Sequence, residues 1–347
     1  MVNLFVTADR IGTPTGGGVV TLHEKNALAS LDETIWLDNT IIPSDQNDPF
    51  SFDLAVRNKV EELQKKYIFK LAHFYAGTFS KTIELLKSKG TKITYTCAAH
   101  DLKLSIAEHI SLLGHYPYKH MQDPEILSKY IQGHKQANLI ICPSSMSANV
   151  MKGYGCKSVK VIPHGTEIPA SIASFPQKFV VGYLGSIGID KGLVYLLKAW
   201  ELLNLQNSFL NIAGRDSTNL LPQIRSLKGN GHFKLQGFVL SSSAFYNECS
   251  VYVQPSVTEG FGIEVLEVMA HGRPVIVSDG AGASDLVDGR WGFVVPKKNP
   301  EAIAEKIRWL WKNKIDRVRM GQGAAHKAKE FSWNEIESKY REAWKHV

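Results

Sequence analysis

The sequence predicts an α/β protein built from two doubly wound parallel sheets. Its 347 residues exceed what one hydrophobic core usually organises, which favours two domains. The composition, 44% hydrophobic and 21% charged, is that of a packed globular protein and excludes a disordered or fibrous chain. Short apolar runs alternate along the chain with segments of helical periodicity, which is the pattern of strand–helix–strand units with parallel sheets.

Six strands are expected in each half of the chain. In the first half, apolar and β-branched runs cover residues 3–8, 34–37, 68–74, 92–97, 139–143 and 160–163. In the second half, they cover residues 179–184, 209–213, 233–236, 251–254, 274–278 and 292–295. A segment with proline and serine at 163–176 separates the halves. Because ligands of such sheets bind beyond the carboxyl ends of the strands, the loops after each strand are the places to look for chemistry.

Helices are expected between the strands. In residues 192–203, for example, four apolar side chains fall on one face: Leu193, Leu196, Leu197 and Trp200. At the end of the chain, Ser332 followed by Glu335 predicts a capped helix.

Charge, cysteines and hydropathy limit the class of protein. The net charge is +7, and most of the excess lies between Arg57 and Lys92, a segment that contains nine basic residues and three glutamates. The four cysteines have no C-x-x-C spacing, which argues against a zinc site or a disulfide framework and favours a reducing cytosol. No apolar run approaches the roughly 20 residues of a membrane span, and the first eight residues are too short for a signal peptide.

The segment 255–267 carries the most informative motif. It follows an apolar strand and opens a helix, and its Gly-Phe-Gly places Gly260 and Gly262 where the first helical amides meet a ligand. Glu259 lies in the loop, where its carboxylate could accept hydrogen bonds from sugar hydroxyls. Glu267, in the second helical turn, could bind the two hydroxyls of a ribose. The alternative, a solvated helix face, would explain two glutamates but not the glycines between them.

Two further glycine loops suggest anion binding. In residues 185–192, Lys191 lies at a helix amino terminus, which is unfavourable unless an anion such as a diphosphate binds there. Residues 16–18 are three glycines after the first strand, but they do not form the G-x-G-x-x-G fingerprint. An ordinary turn and a flexible loop remain the alternatives. His100-Asp101 also follows a strand, and a structural role is the alternative for this histidine.

In combination, these segments resemble glycosyltransferase family 4, the retaining nucleotide-sugar enzymes of the GT-B fold. The resemblance covers nearly the whole chain, and its specific element is the Glu259–Glu267 pair with Gly-Phe-Gly. The weaker elements follow in the family's order at 16–18, 100–101, 163–167, 185–192, 212–214, 237–239 and 272–276. The resemblance implies an acceptor-side Rossmann-like domain at 1–165 and a donor-binding one at 166–331, facing across a cleft. A last helix at 332–347 would cross back to the first domain.

The resemblance also implies site residues. Glu259, His100 and Lys191 would be catalytic, with Glu259 orienting the sugar, His100 lying near the reacting carbon and Lys191 meeting the diphosphate. The donor would be bound by Gly17, Gly18, Ser186, Lys191, Arg215, Val239, Glu259, Gly260, Phe261, Gly262, Ile263 and Glu267. The family usually has arginine where this chain has Ser186, a loss of about 1.5–3 kcal/mol for a charged hydrogen bond. Arg215 is the candidate to replace that charge.

The implied activity is retaining transfer of a hexose from a UDP- or GDP-sugar to a glycan or lipid-linked acceptor. No D-x-D cluster lies near these loops, so neither a metal nor another cofactor is expected, and cationic side chains would neutralise the leaving diphosphate. We expect a cytoplasmic protein and no nucleic acid partner. The basic residues of 57–92 have two interpretations: they are the solvated faces of two ordinary crossover helices, or they form a peripheral contact to the inner face of the membrane. The base, the sugar and the acceptor stay open.

Three alternatives remain at this point. A catalytically silent nucleotide-sugar-binding protein is suggested by Ser186. A GT-B phosphorylase would carry a lysine for pyridoxal phosphate in a recognisable segment, and the sequence shows no such segment. A sugar-nucleotide epimerase shares the fold but does not have the glutamate pattern found here.

Overall fold

Two six-stranded parallel sheets organise the chain. The computed structural model describes residues 1–13, 15–42, 50–75, 77–116, 124–216 and 233–347. The chain divides into a first unit, Met1–Ala99 with Pro117–His164 and Trp333–Val347, and a second unit, His100–Tyr116 with Gly165–Ser332. Each unit contains one of the sheets, so the predicted α/β class is confirmed.

The sheet of the first unit has the order β2-β1-β3-β4-β5-β6, and all of its described pairings are parallel. Its strands are β1 Val2–Thr7, β2 Thr34–Leu37, β3 Phe69–Tyr75, β4 Lys92–Thr96, β5 Leu139–Cys142 and β6 Val159–Val161. The helices of this unit are α1 Gly16–Ala29, α2 Ser51–Leu63, α3 Ser80–Ser88, α5 Pro124–Lys135, α6 Ser145–Gly153 and α12 Trp333–Lys345.

The sheet of the second unit has the order β12-β11-β10-β7-β8-β9, again with parallel pairings. Its strands are β7 Phe179–Leu184, β8 Ser208–Ala213, β9 Phe233–Leu235, β10 Val251–Gln254, β11 Val275–Ser278 and β12 Gly292–Val295. Its helices are α4 Leu102–Leu113, α7 Leu193–Glu201, α8 Ser242–Asn247, α9 Ile263–Ala270, α10 Pro300–Lys312 and α11 Lys314–Ala328, with 3₁₀ turns at Gly282–Leu286 and Lys329–Phe331.

All twelve predicted strands are present, with ends within two residues of the expected ones. The reason is that the central strands are buried on both faces of their sheets, so the sequence shows a short apolar run instead of alternation. The edge strands β2, β6 and β9 are less buried. In β7, five of the six residues are buried, and in β10 all four are. The core of the second unit is formed by these strands together with the apolar faces of α7 and α10.

Helix α4 belongs to the second unit, although the predicted boundary at 165 placed its residues in the first domain. The Ser105 hydroxyl donates to the Asp190 carboxylate at 3.0 Å, and the buried Glu108 carboxylate accepts from the Tyr195 hydroxyl and pairs with Lys298. Leu104, Leu112 and Leu113 pack against the core of the same unit. These contacts join residues more than 80 positions apart in the sequence, so local periodicity could not predict the assignment.

The C-terminal helix α12 is part of the first unit, where it packs on α1. The Trp333 ring stacks on the His23 imidazole at 4.1 Å between centroids, and the same imidazole contacts the Glu337 carboxylate at 2.7 Å. Ile336 and Trp344 are buried on this side of the helix. The apolar positions spaced four apart along 336–344 therefore face α1 and the first sheet.

None of the described helices combines the length and the apolar character that a bilayer crossing requires.

Candidate functional site

The loops that follow β7 and β10 lie side by side at one edge of the second sheet. The two strands are hydrogen-bonded neighbours, so their carboxyl ends meet although the sequence separates them by about 70 residues. The backbone N–H of Val257 donates to the Asp190 carbonyl at 2.8 Å and ties the two loops together. Gly192, at φ +67°, makes this approach possible, because a Cβ there would lie 2.0 Å from the Pro255 carbonyl oxygen.

Glu259 is the centre of this site. One carboxylate oxygen accepts hydrogen bonds from the Gln254 amide and the Ser256 hydroxyl, each at 2.7 Å. The other oxygen forms an ion pair with the Lys191 ammonium group. The side chains of Glu259 and Lys191 are only 10% and 25% exposed, so the pair is held in a largely desolvated position. The structure thus brings together two of the three predicted catalytic residues, from loops that follow different strands.

Both members of this pair are charged at neutral pH. Burial alone would raise the pKa of Glu259, but Lys191 and the hydrogen bonds from Ser256 and Gln254 outweigh it and lower that pKa. Burial alone would lower the pKa of Lys191, but the carboxylates of Glu259 and Glu264 raise it well above its usual value. A fixed carboxylate and a fixed ammonium group therefore lie next to each other where a ligand of these loops would bind.

The backbone of the Gly-Phe-Gly loop is fixed by the following segment. The Glu259 N–H donates to the Gly280 carbonyl at 2.9 Å, and the Gly282 N–H donates to the Glu259 carbonyl at 3.0 Å. Gly262, at φ +93°, is the N-cap of α9 and makes no side-chain capping bond. Helix α9 therefore begins directly beside the Glu259 carboxylate, as the sequence predicted.

Glu267 lies in the second turn of α9, partly buried behind this loop. Burial and the neighbouring Glu264 raise its pKa to about 7, against the opposing effect of a hydrogen bond from the Tyr246 hydroxyl at 2.6 Å. Tyr246 is completely buried and its ring is 5.4 Å from that of His271. Tyr246 therefore orients the Glu267 carboxyl group and leaves its second oxygen for another partner.

Ser186, Arg215 and Val239 come from three loops at the ends of β7, β8 and β9. The Ile187 N–H donates to the Arg215 carbonyl at 2.8 Å, and the Gly214 N–H donates to the Gly237 carbonyl at 2.8 Å, which links the loops in a row. The Arg215 guanidinium lies over the Phe238 ring at 4.4 Å. Its charge is thus directed along the 237–239 segment, while the exposed Ser186 contributes no charge.

His100 is exposed and precedes α4. The adjacent Asp101 N–H donates to the Thr258 hydroxyl at 2.9 Å, and the Asp101 carboxylate caps α4 by accepting from the Leu104 N–H at 3.0 Å. Because Thr258 immediately precedes Glu259, this bond holds the third predicted catalytic residue close to the loop of the other two.

The glycine loop of the first unit is less available than expected. The Gly18 N–H donates to the Thr15 hydroxyl at 3.1 Å as part of the cap of α1, so this amide already has a partner. A Cβ on Gly17 would lie 2.5 Å from an Asp9 carboxylate oxygen. Burial raises the pKa of that carboxyl group. The Asp9 carboxyl group therefore occupies the space beside Gly17, which the sequence did not predict.

Several residues of the site were not predicted from the sequence. Gln254 and Ser256 fix Glu259, Tyr246 fixes Glu267, and Thr258 fixes the Asp101 backbone. Glu264, in the first turn of α9, raises the pKa of Lys191 and was also not predicted as a site residue. A polar residue at the end of a buried strand, such as Gln254, is the signal that could have found part of this shell.

Comparisons with known proteins find relatives of this chain. Residues 165–327 match the family described as Glycosyl transferases group 1, a segment within the second unit that contains Lys191, Glu259 and Glu267. The capsular polysaccharide biosynthesis glycosyltransferase CapM of Staphylococcus aureus is 33% identical over 175 residues, which are 47% of this chain and 46% of CapM. The chain therefore aligns with about half the length of that relative.

Two other relatives align over more of their length. The uncharacterized glycosyltransferase MJ1178 of Methanocaldococcus jannaschii is 25% identical over an alignment of 355 residues, covering 96% of this chain and 95% of MJ1178. The N,N'-diacetylbacillosaminyl-diphospho-undecaprenol alpha-1,3-N-acetylgalactosaminyltransferase of Campylobacter jejuni is 26% identical over 251 residues, 64% of each chain.

Solved structures share the whole fold at low identity. The sucrose-phosphate synthase of Thermosynechococcus elongatus has a TM-score of 0.80 at 16% identity, over 99% of this chain and 98% of the other. Anabaena HepE in complex with UDP and glucose has a TM-score of 0.71 at 18% identity over 100% of both. These likenesses confirm the two Rossmann-like units of the GT-B fold. The family match lies in the second unit, and the relatives reported above are glycosyltransferases by name.

Proposed function

We propose that this chain is a retaining hexosyltransferase that uses a UDP- or GDP-sugar donor and transfers the sugar to a glycan or lipid-linked acceptor without a metal or other cofactor. The observation that carries the proposal is the Glu259–Lys191 ion pair, held by Gln254 and Ser256 between the loops of β7 and β10. An ammonium group suits a diphosphate, and a desolvated carboxylate suits sugar hydroxyls and a developing positive charge.

In this proposal, different residues of the second unit bind different parts of the donor. Lys191 binds the diphosphate, and Glu259 with the amides of residues 260–263 binds the sugar. Glu267, oriented by Tyr246, binds the ribose hydroxyls, and the backbone around Val239 meets the base. His100, fixed through the Asp101–Thr258 bond, contacts the sugar near its reacting carbon.

In the reaction, the bond between the anomeric carbon and the diphosphate oxygen breaks, and its electron pair goes to the diphosphate. Lys191 stabilises the charge that develops on that oxygen, while Glu259 balances the positive charge on the sugar ring. The acceptor hydroxyl attacks on the face that the leaving group departs from, and its proton passes to the departing phosphate oxygen. The anomeric configuration is retained, and no protein carboxylate needs to form a covalent bond.

The names of similar proteins guide the choice of donor and acceptor. HepE is described in complex with UDP and with UDP-glucose, which favours uridine donors for the first tests. The Campylobacter relative is named for a diphospho-undecaprenol acceptor, and CapM for capsular polysaccharide synthesis. We therefore propose a cytoplasmic enzyme of polysaccharide or glycolipid synthesis.

A peripheral membrane contact through residues 57–92 is part of the proposal. The apolar positions Val56 and Val60 of α2 are fully buried in the first unit, so α2 does not offer them to a bilayer. Two of the nine basic residues are paired within α2, Arg57 with Glu61 and Lys59 with Glu62. Two more are exposed but engaged, because Lys70 pairs with Asp32 and Lys87 donates to the Gln136 carbonyl. Contact would therefore be electrostatic and would rest on the other exposed lysines, which are Lys65, Lys66, Lys81, Lys89 and Lys92.

We expect weak binding to phosphatidylglycerol vesicles at low salt that disappears at high salt, since each basic residue near an anionic surface contributes about 1 kcal/mol. Co-sedimentation at two salt concentrations measures this. Absence of binding at low salt, or binding that does not depend on the salt concentration, would contradict the membrane contact. Neither result would bear on the proposed enzymatic activity.

A catalytically silent nucleotide-sugar-binding protein is the second candidate, and the lack of charge at Ser186 favours it. A panel of UDP-, GDP- and ADP-sugars separates the two functions by thermal shift and by release of free nucleoside diphosphate. A cognate donor at 100 times its Kd should stabilise the protein by about 2.7 kcal/mol. Release of nucleoside diphosphate supports the transferase; stabilisation without any release supports the binding protein; no stabilisation by any nucleotide contradicts both.

A further inference from the structure

Glu264 is a second carboxylate at the position where the diphosphate is expected. It lies in the first turn of α9, and its Oε1 atom is 3.8 Å from where a Cβ would lie on Gly185, the first residue after β7. Burial and the neighbouring Glu259 raise the pKa of this carboxyl group, against the opposing effects of Lys191 and of a hydrogen bond from its own backbone N–H. The carboxyl group therefore occupies part of the amide-lined start of α9, which is the place that would otherwise favour a ligand anion.

Lys191 is shared between this carboxylate and Glu259. Both carboxylates raise the pKa of the ammonium group, so both lie close enough to attract it. Asp190 contributes in the same direction, so among the described side chains around Lys191 one positive charge meets three acidic groups. Ser186 adds no charge, and the Arg215 guanidinium is stacked on Phe238. A diphosphate that binds here gains one ammonium group and meets Glu264.

The donor and the product of the proposed reaction differ in charge. In a nucleotide sugar, the terminal phosphate is esterified and the diphosphate carries two negative charges. After transfer, that phosphate has a free oxygen whose last proton has a pKa of about 6, so the product carries roughly one more negative charge at pH 7.5. A carboxylate at the diphosphate position repels the product more strongly than the donor.

We propose that Glu264 is a specificity-determining residue that competes with the bound diphosphate and weakens binding of the nucleoside diphosphate product more than binding of the nucleotide-sugar donor. The inference rests on the proposed function. Its consequence is a site that releases product readily, and product release limits turnover in many enzymes.

Glu264→Gln removes the charge and keeps the shape of the side chain. The repulsion energy is proportional to the charge of the ligand, which is about 1.5 times larger for the product than for the donor. If Glu264→Gln raises donor affinity on the order of tenfold, it should therefore raise product affinity roughly thirtyfold. The matched control is Glu301→Gln, which removes the same charge from the first turn of α10, at an exposed position of the same unit. We expect Glu301→Gln to change neither affinity by more than about twofold.

The experiment is calorimetric titration of wild type, Glu264→Gln and Glu301→Gln with UDP and UDP-glucose, and with GDP and GDP-mannose, at pH 7.5. The expected result is tighter binding of both ligands to Glu264→Gln, with the ratio of donor Kd to product Kd raised about threefold. An unchanged ratio, or weaker binding of either ligand, overturns the inference while leaving the proposed function standing. Failure of the wild-type protein to bind any of the four ligands instead contradicts the proposed function and this inference together.

Product inhibition gives a second readout. In steady-state transfer, Glu264→Gln should be inhibited by nucleoside diphosphate at lower concentrations than wild type, with the inhibition constant reduced by the same factor as the product Kd. Equal inhibition of both proteins would contradict a role of Glu264 in product release.

Discussion

Glu259→Gln is expected to lower the transfer rate about 10²–10³-fold, the usual effect of losing one fixed electrostatic contact to a transition state. Glutamine has the shape of glutamate but no charge, so it cannot balance positive charge on the sugar ring. We expect KM for the donor to change much less than kcat, because the charge on the ring develops only in the transition state. Initial rates with the cognate donor measure both constants.

Alanine is the less informative replacement at this position. The Glu259 carboxylate is buried, and it accepts from Gln254 and Ser256 as well as pairing with Lys191, so its removal would leave these donors without a partner. Glu201→Gln, at an exposed end of α7, is the control for the loss of one charge in the same unit. If Glu259→Gln kept near-normal turnover, the role assigned to Glu259 would be wrong.

Lys191→Ala is expected to reduce transfer by a similar factor and also to destabilise the second unit. Without the ammonium group, Glu259 and Glu264 share a largely buried position, and breaking a buried pair by removing one partner costs about 3–5 kcal/mol. Lys178→Ala, which removes an exposed lysine just before β7, is the matched control. Rates are compared well below the melting temperature so that unfolding does not imitate lost catalysis.

The loss of stability in Lys191→Ala depends on pH in a defined direction. In the wild-type protein, Lys191 outweighs burial at Glu259 and lowers its pKa, and it limits the rise that burial causes in the pKa of Glu264; without Lys191, burial raises the pKa of Glu259 above its value in the unfolded chain and that of Glu264 still further above it. A carboxyl group with a raised pKa destabilises the folded state as pH rises above about 4.5. The difference in melting temperature between variant and wild type should therefore be larger at pH 8 than at pH 5. An equal difference at both would show that the ion pair does not control this site.

Much of the fold followed from local patterns. Each strand of the two sheets is a short apolar run between turns, so runs such as 179–184 and 251–254 located β7 and β10 within one or two residues. Glu259 and Lys191 could be predicted because each lies beside glycines in a loop between a strand and a helix, and such loops are typical ligand-binding positions.

The remaining features depend on which strands are neighbours. The pairing of β7 with β10 brings Lys191 to Glu259 and Glu264, and no local pattern reports that pairing. Helix α4 belongs to the second unit through Glu108 and Ser105, whose partners lie more than 80 residues away. In the first unit, the Thr15 hydroxyl takes the Gly18 amide that the glycine loop was expected to offer to a ligand.

The stereochemistry of donor turnover tests the central claim most directly. The wild-type protein is incubated with the α-linked donor selected by the panel, with water or a simple glycan as acceptor, and the anomer first formed is read by proton NMR together with the free nucleoside diphosphate. The account predicts release of nucleoside diphosphate and an α product, with both rates reduced about 10²–10³-fold in Glu259→Gln. Formation of a β product, or tight nucleotide binding without any release, would contradict it.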